Sequence, residues 1–202
     1  MTKHKYVLFN KPCGVLCQFL DGAGRPTLKD YVDIPGVYPV GRLDLDSEGL
    51  VLLTDDGSFQ HDMADPGKEV WKKYLVQVEG VPKSDQLKRL REGVVFAGKK
   101  TLPAKVKEIG PPVLRERSKP IRFRAAIPTS WLEISIHEGR NRQIRRMAAA
   151  VGLPCLRLVR VEIGPYKLNG LGVGEYRALN PKSQFLNPKQ AANPKSKTVL
   201  NI

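Results

Sequence analysis

Three carboxylates, Asp44, Asp46 and Glu48, stand within the five residues "DLDSE" of a 202-residue chain whose net charge is +14. Three chemistries could use them. Alternating acids resemble the start of a calcium loop, but the EF-hand's further ligands, central glycine and terminal glutamate do not follow. In an extended loop Asp44 and Asp46 would share a side, as the acid/base pair of a glycosidase must. In the third arrangement one carboxylate works and the others are solvated or cap the next segment. Asp44 follows the turn and apolar residue of "GRL" and is the acid expected to enter a cleft. The bland alternative for it is a buried salt bridge without chemistry.

A second group of candidates lies in "HEGRNRQIRRM". At 100° per residue Ile144, Met147, Ala148 and Val151 fall on one side of a helix, the core stripe. Arg142, Arg145 and Arg146 fall on the other, with Arg140 just before them. Arginines in a first turn oppose the helix macrodipole, and a solvated face would mix both signs. Between Arg115 and Arg160 eleven Lys or Arg accompany only three acids, a pattern that suits phosphates. Arginine also suits a bidentate carboxylate pair, which offers a partner for the acidic row.

Composition narrows the classes. An excess of 34 basic over 20 acidic side chains favours nucleic acid as partner, and an anionic membrane surface second. No apolar stretch approaches the ~18 residues of a membrane span, and the N-terminal residues lack the shape of a signal peptide. Cys13, Cys17 and Cys155 form no CxxC pair and no Cys/His set follows them, so reduced thiols in the cytoplasm are expected and no metal site.

The positioning elements can be outlined. "YVLFNKPCG" reads as a strand breaking into a bent loop, "TLKDYV" as a short helix, and "GLVLLTDDG" as a buried strand closed by a turn. A short helix ending at Pro66, the strand "WKKYLVQVEG" and an amphipathic helix with Ser84 as N-cap and Gly93 beyond its end come next. Residues 111–130 read as a long basic loop or irregular hairpin, "WLEISIHEG" as a strand, and "NRQIRRMAAAVG" as a helix capped by Asn141 and stopped by Gly152. Three "NPK" repeats mark 181–202 as a basic, disordered tail. Irregular interleaving of strands and helices predicts an α+β fold with a mixed, mostly antiparallel sheet, one catalytic domain over 1–180 with two lobes around a cleft.

"GRLD" followed by "SEGLVLLTDDG" resembles the central motif of RNA pseudouridine synthases of the RsuA/RluB/RluE/RluF family. "NKPCG" resembles that family's N-terminal motif, "KKYLVQVEG" its tyrosine motif and "HEGRNRQIRRM" its C-terminal motif, in the family's order across residues 6 to about 179. Features such as "PGVYPVGRLD" and "AIPTSWLEI", and a start almost at the first motif without an S4 domain, resemble the branch acting on large-subunit (23S) ribosomal RNA. The resemblance implies isomerisation of uridine to pseudouridine by a monomer acting on RNA, with no cofactor and no metal. It implies Asp44 as the catalytic carboxylate, Arg145 as the cation keeping it ionised, and Tyr74 as the aromatic at the base. Gln143 and Ile144 would lie beside Arg145, and Leu158 would form an apolar wall. Uridine must leave its stack, a cost of a few kcal/mol, and Arg42 is placed to brace the gap. Lys11, Arg140, Arg142, Arg146 and the 115–124 loop would bind RNA. The rival from another class is a non-catalytic RNA-binding or ribosome-assembly protein with the same basic surface.

Overall fold

The structure is a computed structural model that describes residues 4–179 except 118 and 123; the expected tail, 181–202, lies outside the described residues. Strand β1 (Tyr6–Lys11) runs into the Pro12–Gly14 loop and a 3-10 turn, Leu28–Asp30, closed by a Thr27/Asp30 capping box. Short β2 (Tyr38–Pro39) and long β3 (Glu48–Thr54) flank the acidic row, and α1 (Gly57–Ala64) follows with Asp56 as its N-cap. Then come β4 (Lys72–Glu79), α2 (Ser84–Glu92), the hairpin β5 (Val95–Phe96) and β6 (Lys99–Lys100), β7 (Lys105–Ile109) and β8 (Thr129–Ile136). Helix α3 (Gln143–Ala150), β9 (Cys155–Ile163), β10 (Tyr166–Lys167) and β11 (Tyr176–Ala178) complete the described chain.

The main sheet runs β11-β1-β3-β9-β4-β8-β7, with β2 on β3 and β10 on β9. Its pairs are antiparallel except β3 with β9, so the α+β expectation holds with one parallel seam at the centre. All seven residues of β3 are buried because both faces are covered. Val51 and Leu53 join Phe9, Val76, Leu132 and the α3 residues Ile144, Met147 and Ala148 in one core. Leu50 and Leu52 join Leu8, Met63, Val70 and Ile163 in the other. The β3–β9 seam is tight: a Cβ on Gly49, at φ +102°, would collide with the carbonyl oxygen of Arg160. Only glycine fits there.

Two helix starts differ from expectation. Ser84 is the first helical residue and Lys83 the cap position, because the Gln86 carboxamide accepts from the Lys83 amide at 2.8 Å. Asn141 does not cap α3; its oxygen accepts from Arg146 at 3.0 Å, and Arg142 takes the cap position in the left-handed region, φ 50°. The C-terminal expectation holds: Gly152, at φ +79°, turns the chain so that the amides of Gly152 and Leu153 return to Ala149 and Ala148. No helix or strand forms between Ile109 and Thr129 among the described residues.

Candidate active site

The acidic row is a tight turn between β2 and β3. The Ser47 amide closes it on the Asp44 carbonyl at 3.1 Å, and the Gly14 amide supports it at the Leu45 carbonyl, 2.8 Å. Lys11 shapes that supporting loop from inside. Its ammonium donates to the carbonyls of Pro12 and Val15 at 2.9 and 2.7 Å and is fully buried, which pushes its pKa down to about 8. The expectation that Lys11 contacts RNA is therefore corrected: two backbone carbonyls satisfy it where no phosphate reaches.

The three carboxylates have three environments. Asp44 is half-buried, and its recorded side-chain partner among the described residues is the Arg142 guanidinium at 3.6 Å. Asp46 takes the fork of Arg142 at 3.1 and 2.9 Å and the Arg145 guanidinium at 3.3 Å. Burial works to raise its carboxyl, and the two guanidiniums outweigh that and hold it below the usual carboxylate range. Glu48 is buried at the head of β3, with the Arg157 fork at 3.1 and 2.9 Å and the Arg117 Nε at 3.3 Å. It is neither solvated nor a capping group.

This corrects the expected Asp44–Arg145 pair. Arg145 donates to the Asp46 carbonyl at 3.0 Å and to the Cys155 carbonyl at 3.3 Å, with its side chain almost covered. The left-handed conformation of Arg142 swings that side chain, not Arg145, across to Asp44. A non-glycine residue there costs about 1–2 kcal/mol, the kind of strain that gathers at functional sites. The basic loop is likewise spent partly on structure. Arg117 donates to the Cys13 thiol at 2.7 Å and to the Asp46 carbonyl at 3.1 Å, and the exposed Arg122 and Arg124 sit at 3.0 and 3.6 Å from Glu79.

A cleft of about 470 Å³ opens beside the turn, within the ~300–1,000 Å³ typical of ligand pockets. Asp44, Arg42, Tyr74, Arg140, Arg142, Gln143, Ile144 and Leu158 all line it, so the fold gathers eight of the eleven expected residues. Lys11, Arg145 and Arg146 lie outside its lining. Tyr74, Leu158 and Ile144 are buried and also belong to the core, so the apolar wall is rigid. Gln143 is spent on structure, joining the Arg140 amide to the Glu138 carboxylate. Arg140 stacks on Phe96 at 4.0 Å and donates to the carbonyls of Phe96 and Lys99, both 3.1 Å, clamping the β5–β6 hairpin to the rim. Arg146 is exposed and Arg42 is exposed at the mouth.

The family is then open to comparison. The sequence profile of the family described as RNA pseudouridylate synthase matches residues 5–150. The chain belongs to this family. It is 49% identical over 179 residues to the "Ribosomal large subunit pseudouridine synthase E" of Vibrio parahaemolyticus, covering 89% of this chain and 75% of the relative. A protein of the same name from Xanthomonas axonopodis pv. citri is 52% identical over 168 residues, 82% of this chain and 88% of the relative. A solved pseudouridylate synthase superposes with a TM-score of 0.73 at 29% identity, over 95% of this chain and 75% of that one. The human RNA pseudouridylate synthase domain containing 1 shares the fold, at a TM-score of 0.53 and 16% identity.

Sequence reasoning about this synthase missed two charged lining residues, Lys72 and Arg160. Lys72 lies two residues before Tyr74, on the same face of β4, while Trp71 and Lys73 face the opposite side. Arg160 sits opposite Tyr74 on β9, but Lys73 already pairs with Glu162, so the register slips by one residue between them. That bulge puts Arg160 and Ile163 on the same side and breaks the alternation by which β9 could have been read.

Proposed function

We propose that this synthase isomerises a uridine of large-subunit ribosomal RNA to pseudouridine in the cytoplasm, with Asp44 as the catalytic carboxylate. The observation that carries the reading is that Asp44, Tyr74, Ile144 and Leu158, from four separate segments, line one cleft under the arginines of α3. The named relatives supply the ribosomal substrate. Among the described residues no helix is long and apolar enough to cross a membrane.

The uracil leaves C1′ through N1, turns, and is rejoined to C1′ through C5; the C5 proton departs and N1 is protonated. Three things are needed: a carboxylate at the sugar, a surface that keeps the detached base from escaping, and an RNA held open. Asp44 supplies the first, with a carboxylate less engaged than those of Asp46 and Glu48. Tyr74, Leu158 and Ile144 supply the second. Tyr74 offers the base a ring face, and Arg42 at the mouth braces the strand from which the uridine has flipped. Arg142 is the cation beside Asp44, and Arg145 acts one step back by holding the turn through Asp46. Exposed basic groups, Arg146 among them, hold phosphates in a salt-sensitive way.

The test is to incubate the protein with unmodified large-subunit RNA and map pseudouridine by chemical probing. The wild-type chain is expected to modify a discrete position and Asp44→Asn to leave it unmodified while binding the RNA as well. An Asp44→Asn variant with full activity would refute the role of Asp44; modification of transfer or small-subunit RNA alone would refute the substrate.

A further inference from the structure

Six charged side chains line the cleft: Arg42, Asp44, Lys72, Arg140, Arg142 and Arg160. Arg140 is engaged by two carbonyls and Arg142 by carboxylates. Among the described residues the Lys72 ammonium has neither kind of partner, and Arg160 has one carbonyl. The neighbouring Lys73 has Glu133 at 3.8 Å and Glu162 at 3.4 Å, on the other face of the sheet. Lys72 has no carboxylate within ion-pair distance among the described residues, nor does Arg160. Arg160 is 4% exposed and donates from Nε to the Leu50 carbonyl at 2.8 Å, while its Nη2 is buried without a hydrogen-bond partner. Burial and the adjacent Arg160 both hold the Lys72 ammonium below its ordinary pKa.

A buried guanidinium such as that of Arg160 is ordinarily paired, and the half-buried Lys72 ammonium beside it adds like-charge repulsion, so a folded protein keeps such an arrangement at a cost. The cost is relieved when an anion enters. The geometry points to a phosphate subsite on the inner wall of the cleft: Lys72 contacts a phosphodiester of the flipped target nucleotide, and Arg160 behind it keeps the field there positive. The inference rests on the pseudouridine synthase reading for the identity of the nucleotide, but the subsite stands on its own chemistry.

The spacing agrees. Residues two apart on a strand are separated by ~6.6–6.8 Å, so a base stacked on Tyr74 leaves its backbone about one nucleotide's breadth away, beside Lys72. The position also suits the residue types. Lysine reaches a phosphate as a flexible point charge, whereas the guanidinium of Arg160, fixed by Leu50, acts through the low-dielectric wall. Arg42 at the mouth is exposed and solvated, so it does not substitute for this inner pair.

Uridine and uridine 5′-monophosphate distinguish the subsite without requiring turnover. Binding of each is followed by NMR of the wild-type protein at fixed ionic strength, with Lys72 assigned through the resonance lost in Lys72→Gln. Uridine 5′-monophosphate is expected to bind at least tenfold more tightly than uridine and to shift the Lys72 signal. Lys72→Gln should lose most of that preference while binding uridine unchanged, and Lys72→Arg should keep it. Equal weakening of both ligands would mean that Lys72 faces the base or sugar, and unchanged preference would mean that it faces neither; either outcome overturns the subsite. Thermal unfolding of Lys72→Gln within a few degrees of wild type excludes a folding defect. Pseudouridine mapping with wild-type protein is a separate readout, so failure of the subsite and failure of the proposed reaction are told apart.

Discussion

Replacing Glu48 with Gln tests the division of labour within the acidic row, because it removes one charge and almost no volume. In the wild type the Glu48 carboxylate faces two guanidiniums, Arg157 at 2.9 Å and Arg117 at 3.3 Å, with side-chain exposures of 7%, 13% and 11%. Breaking a buried pair from one side costs about 3–5 kcal/mol, mostly because the remaining cations stay buried without a counter-charge. Both arginines keep backbone partners, Arg115 for Arg157 and Asp46 for Arg117, so the lower end applies, about 3 kcal/mol. Asp46→Asn provides the comparison. Its pair with Arg142 is 41% exposed on each side, and solvent-screened pairs are worth about 0–1 kcal/mol. For a domain of this size 1 kcal/mol moves Tm by about 2–4 °C, so Glu48→Gln should unfold some 6–12 °C below wild type. Urea unfolding should show a lower midpoint at unchanged slope. Trypsin should also cut sooner between Ile109 and Thr129, because Arg117 ties that basic loop to Glu48. A Glu48→Gln variant within 1 kcal/mol of wild type, or one no less stable than Asp46→Asn, would refute the reasoning.

Four further outcomes are expected. Arg142→Ala should lower the single-turnover rate of pseudouridine formation more than Arg145→Ala does, since Arg142 is the cation at Asp44; the reverse order would restore the Arg145 pairing. The Asp46 carboxyl is held low in the fold, so its stabilising contribution is present above its unfolded pKa and lost on acidification. Wild type should therefore lose more stability than Arg142→Ala between about pH 5 and 3, as read by urea midpoints. Lys11 has the opposite sign: its folded pKa, about 8, lies below the unfolded 10.5, so wild-type stability should rise relative to Lys11→Met by about 2–3 kcal/mol from pH 8 to 10. Gly49→Ala should cost about 3 kcal/mol or more, measured by thermal unfolding, because its Cβ meets the Arg160 backbone in a conformation alanine resists.

What the sequence disclosed depended on the range of the interaction. The core stripe of α3 and the buried run of β3 are local periodicities, and each is found where the pattern places it. The motif order brought Asp44, Tyr74 and Leu158 to one cleft. Partner choice is different in kind. Whether Arg142 or Arg145 reaches Asp44 is decided by one backbone conformation at Arg142, which a 100° wheel assumes to be helical. The burial of Glu48 depends on Arg117 and Arg157, far along the chain, and a charged residue at a strand start reads locally as solvated. Lys11 reads as a free cation because the carbonyls that claim it belong to a bend whose shape no propensity specifies. Arg160 was hidden by the bulge that aims it.

These corrections share a cause that bears on the mechanism. The proposed mechanism requires one carboxylate to stay available beside the sugar, although arginines surround it. The row meets this by occupying the guanidiniums elsewhere. Glu48 holds Arg157 and Arg117, and Asp46 holds Arg145 and both arms of the Arg142 fork, which leaves Asp44 only a 3.6 Å approach from Arg142. Without Asp46, the Arg142 fork would be free to close on Asp44, and a carboxylate in a bidentate pair is a poorer nucleophile and base. Asp46→Ala should then lower the rate of pseudouridine formation although Asp46 is not among the residues lining the cleft, and Asp46→Ala with Arg142→Ala should recover part of that loss. Recovery is the outcome a merely structural role for Asp46 would not give, since removing a second partner from a destabilised turn should only deepen the defect.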